Sequence, residues 1–478
     1  MTALWTSSDI AAATGGKASG QWAVDGVSID SRTVVEGDLF IALEGPRFDG
    51  HAFVGAARSQ GAAAAMVAAS ADLSGQNIDD ALIIAVDSTM AALTDLAAAG
   101  RARIDGRVVA VTGSVGKTTT KEALALVLGR QGRCHATLGN LNNHWGAPLT
   151  LARMPADTEY AVIELGMNHA GEIEPLSRLA RPHVALITAV EAVHLEFFDS
   201  VAGIADAKAE IFAGLSAGGT AVIPGDNAYR DRLLAAARAS GAEHIVTFGT
   251  ERDCAYRLIA WSTTESGTRI AADVNGRRVV FDIGLSGKHM ALNSLAVLAA
   301  IDALGADSEQ AAADLTDMTA PRGRGARSVV AIPGGSIVLV DESYNASPAS
   351  VGAMMSALAT VPRTGRLIVA LGDMLELGAS ATDLHRDVSV SVPAAGADLV
   401  FTAGPLMKHL HDALPSAQRG GHAATSTEIA AQVTAAVRPG DVVAVKGSFG
   451  SKMSVVVDAL THLSAETTDA APSVVNGG

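Results

Sequence analysis

The segment VTGSVGKTTT combines glycines, a lysine and hydroxyl side chains at a spacing suited to holding the phosphates of a nucleotide. An apolar run, RVVAVTGS, leads into it and TTTKEALALVLGRQG follows with helical spacing, which predicts a strand, a glycine turn and a helix. In such a turn Gly113 and Gly116 let backbone N–H groups approach phosphate oxygens, while Lys117 reaches the β- and γ-phosphates. The Thr118 hydroxyl would bind Mg²⁺. Val111 stands where the full Walker pattern has another glycine, so the motif is a shortened form.

Two further candidates for chemistry follow predicted strands. Glu164 ends the apolar segment YAVIELG, where an acid can bind the magnesium ion of a phosphate-loop site or cap the next helix. His194 follows the segment VALITAV, with Glu191 and Glu196 nearby. A lone histidine is more often a structural residue than a ligand, so the local pattern leaves both roles open for it.

Lys208 lies in the middle of an otherwise apolar helical stripe. The stripe consists of Val201, Ile204, Ala205, Ile211, Phe212 and Leu215. A lysine in such a position must extend to solvent, meet an anion, lose its proton or be chemically modified, because an unpaired buried ammonium is costly. The pattern alone favours extension to solvent.

Polar residues that could contact a nucleotide or a second substrate occur in three further places. They are Asn140, Asn142 and Asn143 in a glycine-flanked loop, Asn293 on an apolar helix, and Arg322, Arg324 and Arg327 in a basic turn. The loop amides could serve turn formation alone, and the helical amide could bind a base edge or pack between helices. The arginines could meet a phosphate when domains close, or form a solvated linker.

The elements that must position these residues alternate between strand and helix, which predicts a mainly parallel, doubly wound α/β fold. Four strands, YAVIELG, VALITAV, TAVIPGD and HIVTFG, follow the phosphate loop, and SIVLVDESYN, RLIVALGD, DLVFTAG and DVVAVKGS repeat the pattern later. Polar residues stand at the carboxyl ends of these strands, where ligands bind in open α/β sheets.

The length of 478 residues exceeds what one core usually organises, and we predict three α/β domains around a central nucleotide site. They are a small N-terminal domain over 1–88, a central P-loop domain with a mainly parallel sheet over 89–326, and a Rossmann-like C-terminal domain over 327–463. The tail over 464–478 has little to bury and is predicted to be disordered.

Composition excludes several classes of protein. Hydrophobic residues make up 49% of the chain and charged residues 18%, which excludes a disordered chain, and no apolar run is long enough for a membrane span. A net charge of -15 argues against nonspecific binding to nucleic acid or anionic membranes. With Cys134 and Cys254 as the only cysteines and no secretory signal, we expect a cytoplasmic protein, and we expect it to be a monomer.

Taken together and in order, the motifs resemble those of the Mur ligases, the ATP-dependent amide ligases that extend the peptide of bacterial cell-wall precursors. The resemblance covers nearly the whole chain apart from the tail. It rests on DSRTVVEGDLFIALEG with RFDGH, TGSVGKTTT, GNLNNHWGAPLTL, ELGMNHAGEI, the His194 segment, ADAKAEIF, YNASP, GDMLELG and VKGSFGSKM.

The resemblance implies a role for each matching residue. It assigns the nucleotide to Gly113, Ser114, Gly116, Lys117, Thr118, Thr119, Asn293, Arg324 and Asp341, with adenine on Asn293, phosphate on Arg324 and ribose on Asp341. It assigns a UDP-linked precursor and its co-substrate to Ser31, Arg32, Arg47, Asp49, His51, Asn142, Asn143 and Asn345. It makes Lys117, Glu164, His194 and Lys208 catalytic, with Thr118, Glu164, His194 and Lys208 around two Mg²⁺ ions, and it makes Lys208 a carbamylated lysine.

Within that family the motifs are most similar to those of the members that add D-alanyl-D-alanine to UDP-N-acetylmuramoyl-tripeptide. The implied reaction uses ATP, passes through an acyl phosphate and releases ADP. The first domain would bind the UDP precursor and the third the incoming dipeptide. Two positions depart from the family pattern: Ser347 stands where a second asparagine is common, and Phe449 where arginine often follows KGS.

Three alternatives stay open. A ligase that adds the third residue of the peptide typically carries a DNPR motif, which does not occur in this sequence. A folate-polyglutamate type ligase shares the ATPase core but has no counterpart of DSRTVVEGDLF. A nucleotide-dependent binding switch without ligase chemistry would hydrolyse ATP whether or not the other two substrates were present.

Overall fold

The computed structural model describes residues 3–45, 48–76, 78–193, 195–264, 267–359, 361 and 363–469. Three α/β sheets follow one another along the chain, so the predicted three-domain α/β architecture is confirmed. Among the described residues no helix is both long and apolar enough to span a bilayer.

The first sheet has the strand order β2-β9-β8-β5-β4, parallel except for β2. The strands of this region are β1 (Trp5–Thr6), β2 (Lys17–Ala18), β3 (Ala23–Val24), β4 (Gly26–Ser28), β5 (Asp38–Ile41), β6 (Glu44–Gly45), β7 (Phe48–Asp49), β8 (Ala64–Ala68) and β9 (Ile83–Val86). Its helices are α1 (Ser7–Thr14), α2 (Val54–Ser59) and α3 (Thr89–Ala102). Helix α3 buries Leu93 and Leu96 in this core and Ala97 in the next, so it joins the two domains.

The central sheet has the order β11-β12-β10-β13-β14-β15-β16-β17-β18 and carries the phosphate loop after β10. Its strands are β10 (Arg107–Thr112), β11 (Cys134–Ala136), β12 (Tyr160–Glu164), β13 (Val184–Ile187), β14 (Thr220–Pro224), β15 (His244–Gly249), β16 (Tyr256–Thr263), β17 (Thr268–Val274) and β18 (Arg277–Ile283). The helices are α4 (Lys117–Gly129), α5 (Gly146–Ala152), α6 (Ile173–Ala180), α7 (Val201–Ala209), α8 (Arg230–Ala239), α9 (Lys288–Leu304) and α10 (Ser308–Asp314).

The third sheet has the order β19-β20-β24-β21-β22-β23, parallel except for β19. Its strands are β19 (Ala326–Ile332), β20 (Gly335–Glu342), β21 (Leu367–Gly372), β22 (Leu399–Ala403), β23 (Arg419–Ala423) and β24 (Val442–Lys446). Its helices are α11 (Pro348–Leu358), α12 (Ala381–Ala394), α13 (Met407–Ala413), α14 (Ser426–Ala436) and α15 (Ser454–Asp469). Short 3-10 helices occur at Gly50–Phe53, Asp80–Leu82, Glu210–Gly214, Leu315–Asp317, Gly378–Ser380, Ser416–Gln418 and Phe449–Ser451.

The apolar strands predicted from sequence are buried on both faces. In β10, Val109 and Val111 pack into one core, while Val108 and Ala110 pack into the core on the opposite face. Successive side chains point to opposite sides of a strand, so a strand covered by helices on both faces needs apolar residues at every position. Strand β10 is therefore an interior strand, between β12 and β13, and the phosphate loop follows directly at its carboxyl end.

Two features differ from the expectation. The central sheet ends in two antiparallel hairpins, which the alternating pattern did not predict: β15 pairs with β16 in parallel, and β16 with β17 and β17 with β18 then pair antiparallel. The sequence signal for the second hairpin was the pair Asn275–Gly276. These residues form the tight turn between β17 and β18 with positive φ angles of 51° and 85°. At the C-terminal end of the chain, α15 continues past Ser464 to Asp469, so the helix extends into the segment 464–478 that was predicted to be a disordered tail.

Candidate active site

A cleft of about 1080 Å³ lies between the central and C-terminal domains at the carboxyl ends of their strands. The predicted site residues on its wall are Ser114, Gly116, Lys117, Thr118, Thr119, Asn142, Asn143, Glu164, Asn293, Arg324 and Asn345. The two domains touch beside it, where the backbone N–H of Glu196 donates to the carbonyl of Glu376 at 3.3 Å. The structure therefore brings together residues that are far apart in sequence.

The phosphate loop needs glycine at two positions for different reasons. Gly116 precedes α4 with φ 84°, and a Cβ there would lie 2.7 Å from Nδ2 of Asn293. A Cβ on Gly113 would lie 1.9 Å from Oγ1 of Thr188, whose hydroxyl donates to the carbonyl of Val115 at 2.6 Å. The loop is thus held against β13 and against the helix that carries Asn293.

Ser114 and Lys117 complete the loop. The Ser114 hydroxyl donates to the carbonyl of Glu191 at 3.1 Å and accepts from the N–H of the same residue at 2.9 Å. The half-buried Lys117 donates to the carbonyl of Gly113. Burial lowers the pKa of Lys117, Glu164 opposes that effect, and Arg324 adds to it. The lysine is therefore held beside both an acid and a second cation.

Glu164 sits at the end of β12 with its two carboxylate oxygens in different surroundings. Oε1 accepts a hydrogen bond of 2.7 Å from Nδ2 of Asn142, whereas Oε2 is buried and has no partner among the described residues. A buried carboxylate oxygen without a partner is costly unless a cation or donor approaches it. Since Mg²⁺ prefers oxygen ligands, this oxygen beside the phosphate loop fits a magnesium site.

Lys208 is 2% exposed on α7, so it does not extend to solvent as its sequence pattern favoured. Burial lowers its pKa well below the ordinary lysine value, and the positive charge of Lys117 lowers it further. Both effects favour the neutral form of the amine, which is the form that carbamylation requires.

Two predicted site residues, His194 and Arg47, lie outside the described residues. Glu191, which precedes the first of them, lines the cleft, and burial raises the pKa of its carboxyl group.

The three residues expected at the base, phosphate and ribose of the nucleotide have distinct environments. Asn293 lies against the phosphate loop, and the Arg324 guanidinium stacks 4.0 Å from the centre of the Tyr344 ring. Asp341 is buried and does not line the cleft. Its carboxylate accepts hydrogen bonds from Gly323 N at 2.8 Å, and from the N and Oγ of Ser343 at 3.1 and 2.6 Å. It thereby ties the interdomain linker to β20.

The predicted precursor-binding residues that the structure describes in the first domain, Ser31, Arg32, Asp49 and His51, are not among the residues that line the cleft, and Asp49 and His51 bond to each other. The exposed Arg32, next to Ser31, makes a two-point contact with Asp30 at 2.9 and 2.6 Å. His51 is buried, with Nδ1 2.6 Å from Asp49 and Nε2 accepting from Ala68 N at 2.9 Å. A ring that accepts at Nε2 donates at Nδ1, so both nitrogens serve the domain itself.

The first domain nevertheless approaches the cleft through its β6–β7 hairpin. The Phe48 ring packs edge-on against Trp145, with ring centroids 5.7 Å apart. Trp145 belongs to the loop that carries Asn142 and Asn143, and Asn143 Oδ1 accepts from Trp145 N at 3.1 Å and Gly146 N at 2.9 Å. Asn143 thus stabilises the start of α5, while Asn345 Oδ1 accepts from its neighbour Ala346 at 2.9 Å.

Sequence reasoning missed several charged or titratable residues of the cleft wall, among them His289, Glu342 and Lys446. Lys446 is 4% exposed and donates to Glu342 Oε2 at 3.0 Å. Burial lowers the pKa of His289, with a raising effect from Glu342 and a lowering one from Lys446. A charged residue at the end of the apolar run DVVAV was the available signal.

Comparison with protein families matches three models along the chain. They are "Mur ligase family, catalytic domain" over residues 23–101, "Mur ligase middle domain" over 111–301 and "Mur ligase, glutamate ligase domain" over 327–449.

Individual relatives give the same result. The UDP-N-acetylmuramoyl-tripeptide–D-alanyl-D-alanine ligase of Rickettsia prowazekii is 34% identical over 95% of this chain and 99% of its own, and that of Bacillus subtilis is 36% identical over 91% and 93%. A crystal structure of MurF from Acinetobacter baumannii superposes with a TM-score of 0.82 at 27% identity, covering 96% of this chain and 99% of that one. MurF ligase from Thermotoga maritima, solved in complex with ADP, gives 0.75 at 28% identity, covering 92% and 98%.

Proposed function

The chain belongs to the Mur ligase family, and we propose that it joins D-alanyl-D-alanine to UDP-N-acetylmuramoyl-tripeptide in an ATP-dependent ligation. The products are the extended UDP-linked peptide, ADP and phosphate, and the reaction belongs to peptidoglycan precursor synthesis. The observation that carries this assignment is the similarity, over nearly the full length of both chains, to ligases of this specificity.

Two successive displacements account for the ligation. A terminal carboxylate oxygen of the tripeptide attacks the γ-phosphorus of ATP, the bond to the bridging oxygen breaks, and ADP leaves. The amine of D-alanyl-D-alanine then attacks the carbonyl carbon of the acyl phosphate, phosphate leaves, and the nitrogen loses a proton as the amide forms. Lys117 and the N–H groups of the phosphate loop stabilise charge on the transferred group, and no protein nucleophile takes part.

Thr118, Glu164, His194 and Lys208 are the residues that would hold Mg²⁺, in a site for two ions. The partnerless Oε2 of Glu164 supports this assignment, as does the buried Thr118 at the start of α4. When bound, the ions supply positive charge to the phosphate oxygens. The chain's own contribution is to fix Glu164 through Asn142 and to keep water out of the cleft.

For Lys208 we favour carbamylation. The neutral amine attacks the carbon of carbon dioxide, an N–C bond forms as one C=O π bond opens, and the nitrogen loses a proton, so the residue changes from a neutral amine to an anionic carbamate. Its burial and the lowering of its pKa by Lys117 support this change, because both disfavour the ammonium form. The resulting oxygens would suit a hard cation.

The three domains divide the substrates between them in this proposal. Residues 1–88 would bind the UDP precursor, with Ser31, Arg32, Arg47, Asp49 and His51 in the segment involved. Asn142 and Asn143 would line the path of the peptide. Residues 89–326 would bind ATP and residues 327–463 the dipeptide, near Asn345.

The two residues assigned to the phosphate and ribose of ATP outside the phosphate loop differ in their access to the cleft, which Arg324 lines and the buried Asp341 does not. The ribose contact of Asp341 would require its carboxylate to serve the nucleotide as well as the linker. Arg324 already lines the cleft and could meet a phosphate directly. We place the reaction in the cytoplasm and in a monomer, as expected from the sequence.

Measurement of ADP release with each substrate omitted in turn tests the proposal. A ligase of this specificity releases ADP only when both UDP-tripeptide and D-alanyl-D-alanine are present. A ligase for the third residue would instead require a UDP-dipeptide and a free amino acid, and a binding switch would hydrolyse ATP without either.

A further inference from the structure

Lys446 occupies an unusual position for a lysine. It ends the apolar strand β24, is 4% exposed, and still contributes to the wall of the cleft. Its side chain continues the row of Val442 and Ala444, on the face of the sheet that packs against α11 and α12. Burial of a charged lysine is costly, so its presence at this point indicates that the charge has a function.

The topology of the third sheet makes this edge a binding crevice. Strand β24 lies between β20 and β21, and Lys446 is in register with Glu342 and Leu371 on these neighbours. The chain leaves β20 toward α11, which packs in one core, but leaves β24 toward α15, which packs in the other. Connections that diverge to opposite faces open a crevice at the carboxyl ends of the strands, where ligands bind.

The ammonium group has capacity for a further partner. It carries three N–H donors, and among the described residues its one hydrogen bond goes to Glu342 Oε2 at 3.0 Å. In the described part of the C-terminal domain, the cations on the cleft wall are Arg327 and Lys446. Arg327 is exposed to solvent, whereas Lys446 is held in place by the sheet around it.

The part of the cleft wall that α11 contributes carries small side chains. Ala346, Ala349, Ala353 and Ala357 line the cleft before and along this helix. Side chains of this size leave room for the methyl groups of a ligand. Ser347 and Ala349, at the N-terminal end of α11, also line the cleft, and the positive end of the helix dipole favours a negative group there.

From these observations we propose that Lys446 binds the terminal carboxylate of the incoming dipeptide and so determines that the acceptor must carry a free C-terminus. The inference rests on the proposed function, because it identifies which end of the dipeptide this wall recognises. The dipeptide reacts through its amine, which must face the acyl phosphate, so its carboxylate is the group left for recognition by the C-terminal domain. Glu342 keeps the lysine in place without satisfying all of its donors.

The test compares D-alanyl-D-alanine with its C-terminal amide as acceptors for the full-length enzyme. The wild type should use the acid with kcat/KM at least about tenfold higher than the amide, as expected for a hydrogen bond between charged groups. Lys446→Gln should lose most of this preference through a higher KM for the acid, with the KM values for ATP and UDP-tripeptide unchanged. Arg327→Gln is the matched control and should keep the preference.

Removal of Lys446 alone leaves Glu342 without its partner and could destabilise the domain, so two more variants are needed. Glu342→Gln should keep the preference for the acid, because the lysine remains. The Lys446→Gln/Glu342→Gln double variant should lose it while staying folded, because both charges are gone.

The outcomes separate the inference from the function on which it rests. Ligation by the wild type with equal use of acid and amide would overturn the role of Lys446 and leave the ligase intact. Loss of the preference in Arg327→Gln, or its retention in both Lys446 variants, would also overturn that role. Absence of any ligation by the wild type would instead overturn the proposed function.

Discussion

The amide of Asn142 donates a 2.7 Å hydrogen bond to one carboxylate oxygen of Glu164 and leaves the other oxygen buried without a partner among the described residues. One oxygen is therefore fixed by the protein and the other is available to a cation. Because Asn142 comes from the loop after β11 and Glu164 from the end of β12, the loop orients the acid across the sheet edge.

We expect Asn142→Ala to raise the Mg²⁺ concentration required for half-maximal turnover by about 10- to 100-fold, because partners that orient a ligand typically contribute this much to metal affinity. Titration of Mg²⁺ in an ADP-release assay measures the effect. Asn143→Ala is the matched control: it removes a helix-starting contact and should lower stability by about 1 kcal/mol. Equal Mg²⁺ requirements in the two variants would contradict the orienting role of Asn142.

Lys117→Met should lower turnover by at least about a hundredfold, because the lysine stabilises charge on the transferred phosphoryl group. Binding of UDP-tripeptide, measured by isothermal titration, should survive, since that ligand is assigned to the first domain. The separation of sites would be wrong if a folded variant lost precursor binding together with turnover.

Lys208→Ala should lower turnover by about a hundredfold or more, because it removes the carbamate that we propose at this position, near Lys117 of the phosphate loop. A small carboxylate such as acetate should restore part of the activity by filling the vacated space. Lys208→Arg should not be rescued, since its guanidinium occupies that space with the opposite charge.

If Lys208 were unmodified, the opposite results would be expected. Arginine would then substitute with little loss, acetate would do nothing, and carbon-13 labelling of the wild type with carbon dioxide would give no carbamate signal.

Local sequence patterns were sufficient for the phosphate loop and for the parallel strands. The GKT motif is contiguous, and the buried strands need apolar residues at every position, so both leave a signal in the sequence itself. Glu164 was identified for the same reason, as an acid at a strand end. The Asn142 contact to it was not predicted, because 22 residues separate the two and only the sheet brings them together.

Where a pattern allowed several outcomes, packing decided between them. The stripe around Lys208 favoured a lysine that reaches solvent, but the neighbouring elements cover it. The contacts of the two ring nitrogens of His51 with Asp49 and Ala68 were likewise not specified by the motif that predicts a substrate-binding role for this residue. Lys446 and Glu342 were not predicted as site residues, because their contact depends on the order of strands in the third sheet, which the sequence pattern does not specify.

His183 should make stability depend on pH in the acid range. Its Nδ1 accepts a 3.0 Å hydrogen bond from Val108 N, and burial, with Arg101 and Arg107, lowers its pKa from 6.5 to about 4. Between these values the unfolded chain binds a proton that the folded chain does not, so stability falls as pH drops from 6.5 toward 4. The loss should be about 2 kcal/mol or less.

His183→Asn retains an acceptor for Val108 but does not titrate in this range. The difference in thermal unfolding midpoint between pH 7 and pH 5, taken at constant ionic strength, should therefore be smaller in the variant than in the wild type. An identical difference in the two proteins would show that other groups carry the acid sensitivity.

The most direct test of the account is whether ADP release depends on both UDP-N-acetylmuramoyl-tripeptide and D-alanyl-D-alanine, with the product identified by mass. Incubation of the protein with ATP, Mg²⁺, UDP-N-acetylmuramoyl-tripeptide and D-alanyl-D-alanine should yield one ADP for each new amide, and the product should have the mass of the two substrates less one water. Omission of either substrate should stop ADP release. ADP release that continues without the dipeptide, or a product lacking the dipeptide, would contradict the assignment.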